Sequence, residues 1–309
     1  MRVLVTGGAG FIGSHVVDTL LRQSDTEVVV VDNLSHGQRR FVNPAARFIQ
    51  GDVLDWGVWV DEVGPVDAVI HLAAQISVPE SEAHPENDVR QNVLGTVAML
   101  QAAKRLKARE FRFASSAAVY GDDPHLPLAE ERAGQTLSYY GLDKWIGETY
   151  IAYEALHSSL IGTVLRLANV YGPRQRTQGE GGVVAVFAEA LAQGAKPQIF
   201  GDGEQTRDFI AVQDVARAFC HRLGDPASGG VRNIATGEAV SINEVWLRLA
   251  SIAGLDDRDI AHGPERPGDI RHSLLDTARA RAWGFQAHVD LNVGLAMTYQ
   301  YFREDAGVL

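Results

Sequence analysis

The chain has 309 residues, of which 46% are hydrophobic and 22% are charged, and its formal net charge is −11. This composition predicts a folded, soluble protein rather than a disordered or fibrous one. The acidic balance argues against broad binding to nucleic acid or to an anionic membrane, since either needs a basic surface. Any anionic ligand must therefore be held by local cations.

Cysteine usage and the first residues indicate a cytoplasmic protein. Cys220 is the single cysteine, so the chain can form neither an intramolecular disulfide nor a zinc-type cluster, and we expect no metal and a buried thiol. A strand-like run begins at residue 3, which leaves no room for a signal peptide. No apolar run approaches the ~18 residues that a transmembrane helix needs.

Up to about residue 170, short β-rich apolar runs alternate with helix-like segments. This rhythm predicts a doubly wound parallel sheet of the α/β class, and the nearly continuous apolar strands suit a sheet covered on both faces. The predicted strands span residues 2–6, 27–32, 47–50, 68–72, 110–115 and 162–167, and examples of the helices between them span 11–23, 89–106 and 144–156.

A glycine-rich turn follows the first predicted strand and opens the first predicted helix. Gly7, Gly10 and Gly13 occupy places where a tight turn and a close approach to a pyrophosphate both exclude a side chain. Phe11 and Ile12 begin the helix, whose free N–H groups and positive dipole end favour such a phosphate. Glycine-rich turns often only punctuate structure, so the turn alone is a weak indication.

An acidic residue gives this turn a more specific meaning. Asp32 ends the second predicted strand, where a carboxylate would accept hydrogen bonds from both hydroxyls of an adenine ribose. The same carboxylate would repel a 2′-phosphate, and Asn33 and the two residues after it supply no cation. We therefore predict a Rossmann-type fold that binds NAD rather than NADP, and we interpret the nearby Arg39 and Arg40 as exposed loop charges.

The spacing Gly-x-x-Gly-x-x-Gly resembles the short-chain dehydrogenase/reductase superfamily, and the chain length resembles its extended branch. His71 lies within an apolar strand signature, and we interpret it as a structural histidine. The resemblance implies further contacts with the cofactor by Asp52 and Val53 at the adenine and by Leu72, Ala73, Ala74 and Gln75 at a strand end.

Tyr140 and Lys144 are spaced i and i+4, which places a phenol and an ammonium on one face of a helix. A phenol with a pKa near ~10 is a poor base at neutral pH, but adjacent positive charge stabilises its phenolate. Ser116 ends a predicted strand and can hydrogen-bond the reacting oxygen. We predict that these three residues are catalytic, whereas the neighbouring Tyr139 points in a different direction. Packing and a solvated lysine would explain the Tyr–Lys spacing taken alone.

Residues 115–121, together with Tyr140 and Lys144, resemble the UDP-sugar 4-epimerases, and the resemblance covers nearly the whole chain. The superfamily usually has proline at position 139, so Tyr139 could reshape the sugar pocket. Arginines on loops around a cleft suit a pyrophosphate, although each alone could be an ordinary surface ion pair. The resemblance implies that Asn92, Tyr140 and Lys144 contact NAD, that Ser116 contacts the substrate, that Asn169, Arg207 and Arg266 hold the nucleotide diphosphate, and that Asp269 holds the uridine ribose.

Ala117 and Ala118 separate this chain from related dehydratases and decarboxylases. Those enzymes carry an acidic residue shortly after the catalytic Ser or Thr, because elimination of water needs an acid. Neither alanine can give a proton. This favours a transient oxidation at C4, rotation of the 4-keto sugar and return of the hydride, with no net redox change.

The choice of UDP-sugar stays open, with UDP-glucose and UDP-galactose ranked first. Arg176 could pair with the carboxylate of UDP-glucuronate, or it could be a solvated loop charge. Ser273 falls where the family often has a bulky residue, so an N-acetylated sugar would also fit. Alternatives of another class are a nucleotide-sugar reductase or dehydrogenase with net redox, and a non-catalytic NAD sensor, which the intact Ser, Tyr and Lys disfavour.

Beyond residue 171, loops rich in glycine and proline become frequent, at 179–182, 201–203 and 264–268. Such loops are typical of binding segments over a rigid platform. We predict an NAD-binding domain over residues 1–170 and an interleaved, smaller substrate-binding part over 171–309, with segments near 205–222 and 231–240 returning to the first domain. The resemblance also implies a homodimer that pairs the helices near 93–106 and 144–156.

Overall fold

The computed structural model describes residues 1–177, 181–256, 259–266 and 268–307. The predicted loops at 179–182 and 264–268 therefore contain three positions, 179, 180 and 267, that lie outside the described residues. The strands are β1 (Arg2–Thr6), β2 (Glu27–Asp32), β3 (Arg47–Gln50), β4 (Ala68–His71), β5 (Glu110–Ser116), β6 (Ile161–Leu167), β7 (Asn169–Tyr171), β8 (Gln198–Phe200), β9 (Thr206–Ala211), β10 (Gly230–Ile234), β11 (Ala239–Ser241) and β12 (Ala261–Gly263). The helices are α1 (Phe11–Leu21), α2 (Trp56–Val63), α3 (Val78–Ala83), α4 (Pro85–Val89), α5 (Gly95–Arg105), α6 (Tyr139–His157), α7 (Val183–Ala192), α8 (Val212–Cys220), α9 (Ile242–Ile252), α10 (Ala278–Ala282) and α11 (Leu291–Asp305).

Seven of these strands form one parallel sheet in the order β10-β6-β5-β4-β1-β2-β3. The chain winds outward in one direction from β1 through β2 to β3 and in the other from β4 onward. The strand order thus reverses between β1 and β4, and ligands of such sheets bind at the carboxyl ends of the strands beside that point. The predicted Rossmann-type α/β fold is confirmed.

The apolar runs of the sheet are buried on both faces, as a parallel sheet requires. Alternate residues of β1 enter two different cores because successive side chains of a strand point to opposite faces. Val3 and Val5 pack in the layer of α1 and α8, whereas Leu4 packs in the layer of α2 and α5. Cys220, at the end of α8, is buried as predicted.

The C-terminal part builds a third core away from the large sheet. Strands β7, β9 and β11 form a three-stranded sheet, and Phe187 of α7, Trp246 of α9 and Leu295 of α11 pack together behind it. In the segments predicted to return, β10 joins the large sheet and α8 packs against α1, whereas β9 and β11 stay in the small sheet. The division into an NAD-binding and a substrate-binding domain stays a prediction.

Several predicted boundaries differ from the observed ones. The helix predicted over 144–156 begins earlier, at Tyr139, because Ser138 caps it by accepting a hydrogen bond from the Gly141 N–H at 3.1 Å. The helix predicted over 89–106 contains a wide π-helical segment, Arg90–Leu94, between α4 and α5. The other strand and helix ends shift by one or two residues, as at β4, β5, β6 and α1. Among the described residues, no helix is long and apolar enough to cross a membrane.

Candidate active site

The loop between β1 and α1 is packed so closely that its glycines leave no space for a side chain. Gly7 has a φ of +71°, and a Cβ there would lie 2.7 Å from the backbone nitrogen of Ala73. A Cβ on Gly13 would lie 2.1 Å from the carbonyl oxygen of Gly7. Gly10 caps α1 without a side-chain hydrogen bond, so the N–H groups of Phe11 and Ile12 stay open to an anion. This loop fits the pyrophosphate of a dinucleotide.

The predicted adenosine-binding residues meet at the ends of β2 and β3. Asp32 is 7% exposed, and its two carboxylate oxygens accept hydrogen bonds from the backbone N–H groups of Ala9 at 3.0 Å and Leu34 at 2.8 Å. These bonds fix the carboxylate and leave lone pairs for ribose hydroxyls. Beside it, the Asn33 amide donates to Asp52 at 2.9 Å. Val53, the next residue, packs against the core behind this rim.

The two arginines near this rim are engaged elsewhere. The Arg39 guanidinium lies over the Phe48 ring, 4.5 Å from its centre. Arg40 forms an ion pair with Asp305 at 2.8 Å. This agrees with their interpretation as loop charges and with a site for NAD.

The end of β4 touches the glycine loop on one side and a helix on the other. The backbone N–H groups of Leu72 and Ala73 donate to the Thr6 carbonyl at 3.2 Å and to the Thr6 hydroxyl at 3.4 Å. After Ala74, Gln75 forms two hydrogen bonds with the Asn92 side chain, at 2.9 and 3.0 Å. Asn92 lies in the π-helical segment, a rare geometry that often marks functional sites.

His71 is enclosed in the sheet rather than in the cleft. Its Nδ1 lies 2.7 Å from the Thr6 hydroxyl and its Nε2 lies 3.5 Å from the Thr96 hydroxyl. Burial, together with the Lys144 charge, lowers the pKa of His71 to about 3. A histidine held neutral in this way is structural, in agreement with its interpretation from the sequence.

The structure brings Ser116, Tyr140 and Lys144 together. Ser116 ends β5 and caps the following turn, accepting a hydrogen bond from the Ala118 N–H at 3.1 Å. The Tyr140 phenol and the Ser116 side chain share a hydrogen bond. One turn along α6, the Lys144 ammonium lies 5.8 Å from the centre of the Tyr140 ring and donates to the Ala114 carbonyl at 2.9 Å. Tyr139, in contrast, is exposed.

Burial sets the proton affinities of this group. It raises the pKa of the Tyr140 phenol to about 12, and the hydrogen bond with Ser116 opposes part of that rise. It lowers the pKa of Lys144 to about 8, against the charges of Asp88, Glu148 and Asp143. The phenol is therefore a poor base in the protein alone, and positive charge added to the cleft would favour its phenolate.

Two contacts that hold α6, the helix of Tyr140 and Lys144, were not predicted from the sequence. The backbone N–H of Tyr140 donates to the Ser81 hydroxyl at 3.2 Å, and the N–H of Tyr139 donates to Glu82 at 3.0 Å. Both acceptors lie on α3, far away along the chain. No local pattern marks such a contact, because it arises only when α3 packs against α6.

The predicted substrate-binding residues gather around β9. Arg207 forms an ion pair with Asp269, whose backbone N–H donates to the Arg266 carbonyl at 3.2 Å. The Arg266 guanidinium lies over the Phe200 ring, 4.1 Å from its centre. Asn169 pairs with β9 and follows β6, whose last residue pairs with Ser116. Asn169 and Arg207 thus lie on the adjacent strands β7 and β9, and Arg266 is connected to Arg207 through Asp269.

The two residues considered for sugar choice differ in their surroundings. The backbone N–H of Ser273 donates to the Thr206 carbonyl at 3.1 Å, which fixes Ser273 beside Arg207. Arg176 is exposed on the loop after β7.

Comparisons with known proteins identify the family of this chain. The model of the NAD dependent epimerase/dehydratase family matches residues 3–235. A UDP-glucose 4-epimerase from Mycolicibacterium smegmatis is 42% identical over 314 residues, covering 98% of this chain and 99% of the relative. The crystal structure of UDP-glucose 4-epimerase from Thermotoga maritima with UDP-glucose is 38% identical, with a TM-score of 0.93, and covers 99% of this chain and 100% of that one. A UDP-N-acetylglucosamine 4-epimerase from Methanobrevibacter ruminantium, solved with UDP-N-acetylmuramic acid, is 34% identical, with a TM-score of 0.93 and 98% coverage of both chains.

The chain therefore belongs to the NAD-dependent epimerase/dehydratase family, in the extended branch of the short-chain dehydrogenase/reductase superfamily. Within this family it groups with the UDP-sugar 4-epimerases, which makes it an isomerase that uses NAD.

Proposed function

We propose that the enzyme interconverts UDP-glucose and UDP-galactose at C4, with Ser116, Tyr140 and Lys144 as its catalytic residues. The observation that carries this proposal is the hydrogen bond between Tyr140 and Ser116 beside Lys144, in a turn where positions 117 and 118 are alanine. This group can move one proton at one sugar oxygen. It has no acid at those positions for expelling a leaving group, which elimination of water would need.

In the proposed reaction, Tyr140 takes the proton of the C4 hydroxyl while Ser116 holds that oxygen by a hydrogen bond. Lys144 stabilises the Tyr140 phenolate by its charge. NAD, held by the residues predicted for it, would supply the acceptor for the C4 hydride and the donor for its return. Rotation of the 4-keto sugar about its diphosphate link would present its other face before Tyr140 returns the proton to the C4 oxygen.

The remaining predicted residues would hold the two nucleotides. Arg207 and Arg266 supply positive charge for the diphosphate of the UDP-sugar, with Asn169 beside them, and Asp269 is suited to the uridine ribose. The proposed NAD contacts, besides Tyr140 and Lys144, are Gly7, Gly10, Phe11, Ile12, Gly13, Asp32, Asn33, Asp52, Val53, Leu72, Ala73, Ala74, Gln75 and Asn92.

A direct test is to incubate the protein with UDP-glucose, UDP-glucuronate or UDP-N-acetylglucosamine and to resolve the 4-epimers. We expect UDP-galactose to form from UDP-glucose without stoichiometric reduction of added NAD. Stoichiometric absorbance of reduced nicotinamide would instead identify a dehydrogenase or reductase. Turnover of UDP-glucuronate alone would favour UDP-glucuronate as the substrate, with Arg176 as the partner of its carboxylate.

A second candidate substrate is UDP-N-acetylglucosamine. Ser273 lies beside β9, where its backbone N–H bonds the Thr206 carbonyl. The family often has a bulky side chain at this place, so a serine would leave space for an N-acetyl group. The relative from Methanobrevibacter ruminantium is named for this sugar. Preferential formation of the N-acetylated 4-epimer in the same assay would replace the first substrate by this one.

We also propose a homodimer formed through α6. Leu142, Tyr153 and Leu156 are 39%, 59% and 80% exposed, and their spacing puts them on one face of this helix. Apolar residues concentrated on one exposed face mark an interaction surface more often than scattered ones do. The implied partner is the same face of a second copy.

Replacing both Tyr153 and Leu156 by Lys should convert the protein to a monomer, because two buried, unpaired ammonium groups would face each other across the interface. Light scattering measures the mass directly. Val58→Lys is the matched control, since Val58 is 87% exposed on α2 and lies outside this face. A dimer that persists in the double variant would contradict the proposed interface.

A further inference from the structure

Two buried carboxyl groups face each other beneath the proposed catalytic residues. Asp88 lies on α4 and Asp143 lies on α6, between Tyr140 and Lys144, and each is 1% exposed. The two side chains are within hydrogen-bond reach of each other. The proposed mechanism gives neither of them a task.

The partners of the two groups are very unequal. One oxygen of Asp88 accepts hydrogen bonds from the side-chain amides of Gln75 at 2.6 Å and Asn92 at 3.1 Å. The other oxygen of Asp88 and both oxygens of Asp143 receive no hydrogen bond from any N–H or hydroxyl donor in the described part of the chain. An ionised carboxylate only accepts hydrogen bonds, so two ionised carboxylates cannot bond each other, whereas a proton on one of them forms a hydrogen bond between two facing oxygens.

We propose that Asp143 carries this proton and donates it to Asp88, so that an acid–carboxylate pair fastens the catalytic helix to the residues predicted to flank NAD. Asp143 is assigned the proton because the two amide donors on Asp88 favour the ionised form of Asp88. The connection then runs from α6 through Asp88 to Gln75 and Asn92. Asp143 and Asp88 are positioning residues that act through Tyr140 and Lys144. That positioning role depends on the proposed function, whereas the shared proton does not.

The charges around the pair explain why only one negative charge belongs there. On α6, Lys144 faces Asp88 and Asp143 and lies near Glu148, and the Tyr140 phenol is next to Asp88. On β4, His71 is neutral. If Asp143 were also ionised, its charge would have no further cation to pair with among these groups. Two like charges in a buried site also disfavour joint ionisation. Burial and Asp88 raise the pKa of Asp143 to about 7.

This pKa fixes the sign of the effect on stability. An unfolded chain releases the aspartate proton near pH ~4, whereas the folded protein keeps it until about pH 7. The folded state binds the extra proton between these values, so the stabilisation is complete below pH ~4 and is lost as the pH rises through 7. Asp143→Asn has a neutral donor at every pH. Its melting temperature should match that of the wild type near pH 4 and exceed it by roughly 5 °C at pH 8.

Infrared spectroscopy of the wild-type protein tests the proton itself. We expect a carboxylic-acid carbonyl band at pH 6 that disappears by pH 8 and is missing from Asp143→Asn. Absence of the band, its survival in that variant, or a melting-temperature difference that does not change with pH would each overturn the proposal. If Asp143→Asn does not fold, Asp88→Asn replaces it as the test variant. Removal of the Asp88 charge must lower the pH at which the carboxylic-acid band disappears.

Activity tests the positioning role separately. The ratio of kcat in Asp143→Asn to kcat in the wild type should rise as the pH passes 7, while Asp143→Ala, which removes the donor, should lose roughly tenfold or more. Equal losses in both variants at every pH would reduce the pair to a packing role. Asp214→Asn is the control. Asp214 is buried but paired with Arg217 and two backbone N–H groups, so its replacement should destabilise the protein at both pH 6 and pH 8 and leave the band intact. A wild type that shows the band but no epimerase activity would overturn the proposed function and leave the pair standing.

Discussion

Tyr140→Phe should lower the rate of 4-epimerisation by roughly 10²- to 10⁴-fold, the range typical for removal of a positioned acid or base. The substitution removes only the phenolic oxygen, so the ring keeps its place on α6 between Ser116 and Lys144. Binding of NAD and of the UDP-sugar should therefore change little. Chromatographic separation of UDP-glucose and UDP-galactose gives the rate, and titration with each ligand gives the affinities.

The neighbouring tyrosine supplies the matched control. Tyr139→Phe removes the same oxygen from the preceding residue, which is 43% exposed and has no position on the Lys144 face. Its turnover should stay within about threefold of the wild type, as for an ordinary surface substitution. Normal turnover in Tyr140→Phe, or a large loss in Tyr139→Phe alone, would refute the proposed assignment of the base.

Gly13→Ala should weaken the binding of NAD by roughly 10- to 100-fold. The new Cβ would lie 2.1 Å from the Gly7 carbonyl oxygen and 2.8 Å from its carbon, and both are backbone atoms that cannot rotate away. The loop must open, and overpacking of this kind costs about 1–3 kcal/mol, or roughly one to two powers of ten in affinity. Calorimetric titration of the purified protein with NAD measures the change.

Gly57→Ala separates this effect from a general response to alanine in a helix. Gly57 lies in the first turn of α2, as Gly13 does in α1, but a Cβ there meets nothing within 4 Å. Alanine should therefore stabilise the fold by about 0.5–1 kcal/mol and leave NAD affinity unchanged. If the two variants bind NAD equally well, the close packing of the glycine loop does not govern binding.

The sequence predicts best those features that depend on local pattern. The strands 2–6, 27–32 and 47–50 agree with β1, β2 and β3 because near-continuous apolar runs between turn residues leave little freedom in their ends. The i and i+4 spacing of Tyr140 and Lys144 places them on one helix face before any tertiary contact is known. Ser116 is predicted for the site because it ends a strand, and parallel strands present their carboxyl ends at one edge of the sheet.

Features that depend on packing were missed. The π-helical segment contains Asn92, whose side chain bonds the distant Gln75 backbone, and no local propensity indicates such a contact. From the sequence, Asp143 is indistinguishable from an ordinary aspartate on a helix next to a lysine. Its burial opposite Asp88 exists only because α4 and α6 pack together. Only the helix periodicity indicates this burial, because Asp143 lies about one turn from Tyr140 on the same buried face.

Arg207 and Asp269 form an ion pair, so their proposed roles would make substrate capture an exchange reaction. In the proposed roles, both side chains leave each other to meet the UDP-sugar, one at the diphosphate and one at the ribose. The affinity then reflects the difference between two sets of contacts rather than the sum of the new ones. A ligand that offers only phosphate would bind Arg207 but leave Asp269 without a partner. The proposed site would therefore bind a complete nucleotide in preference to an isolated anion.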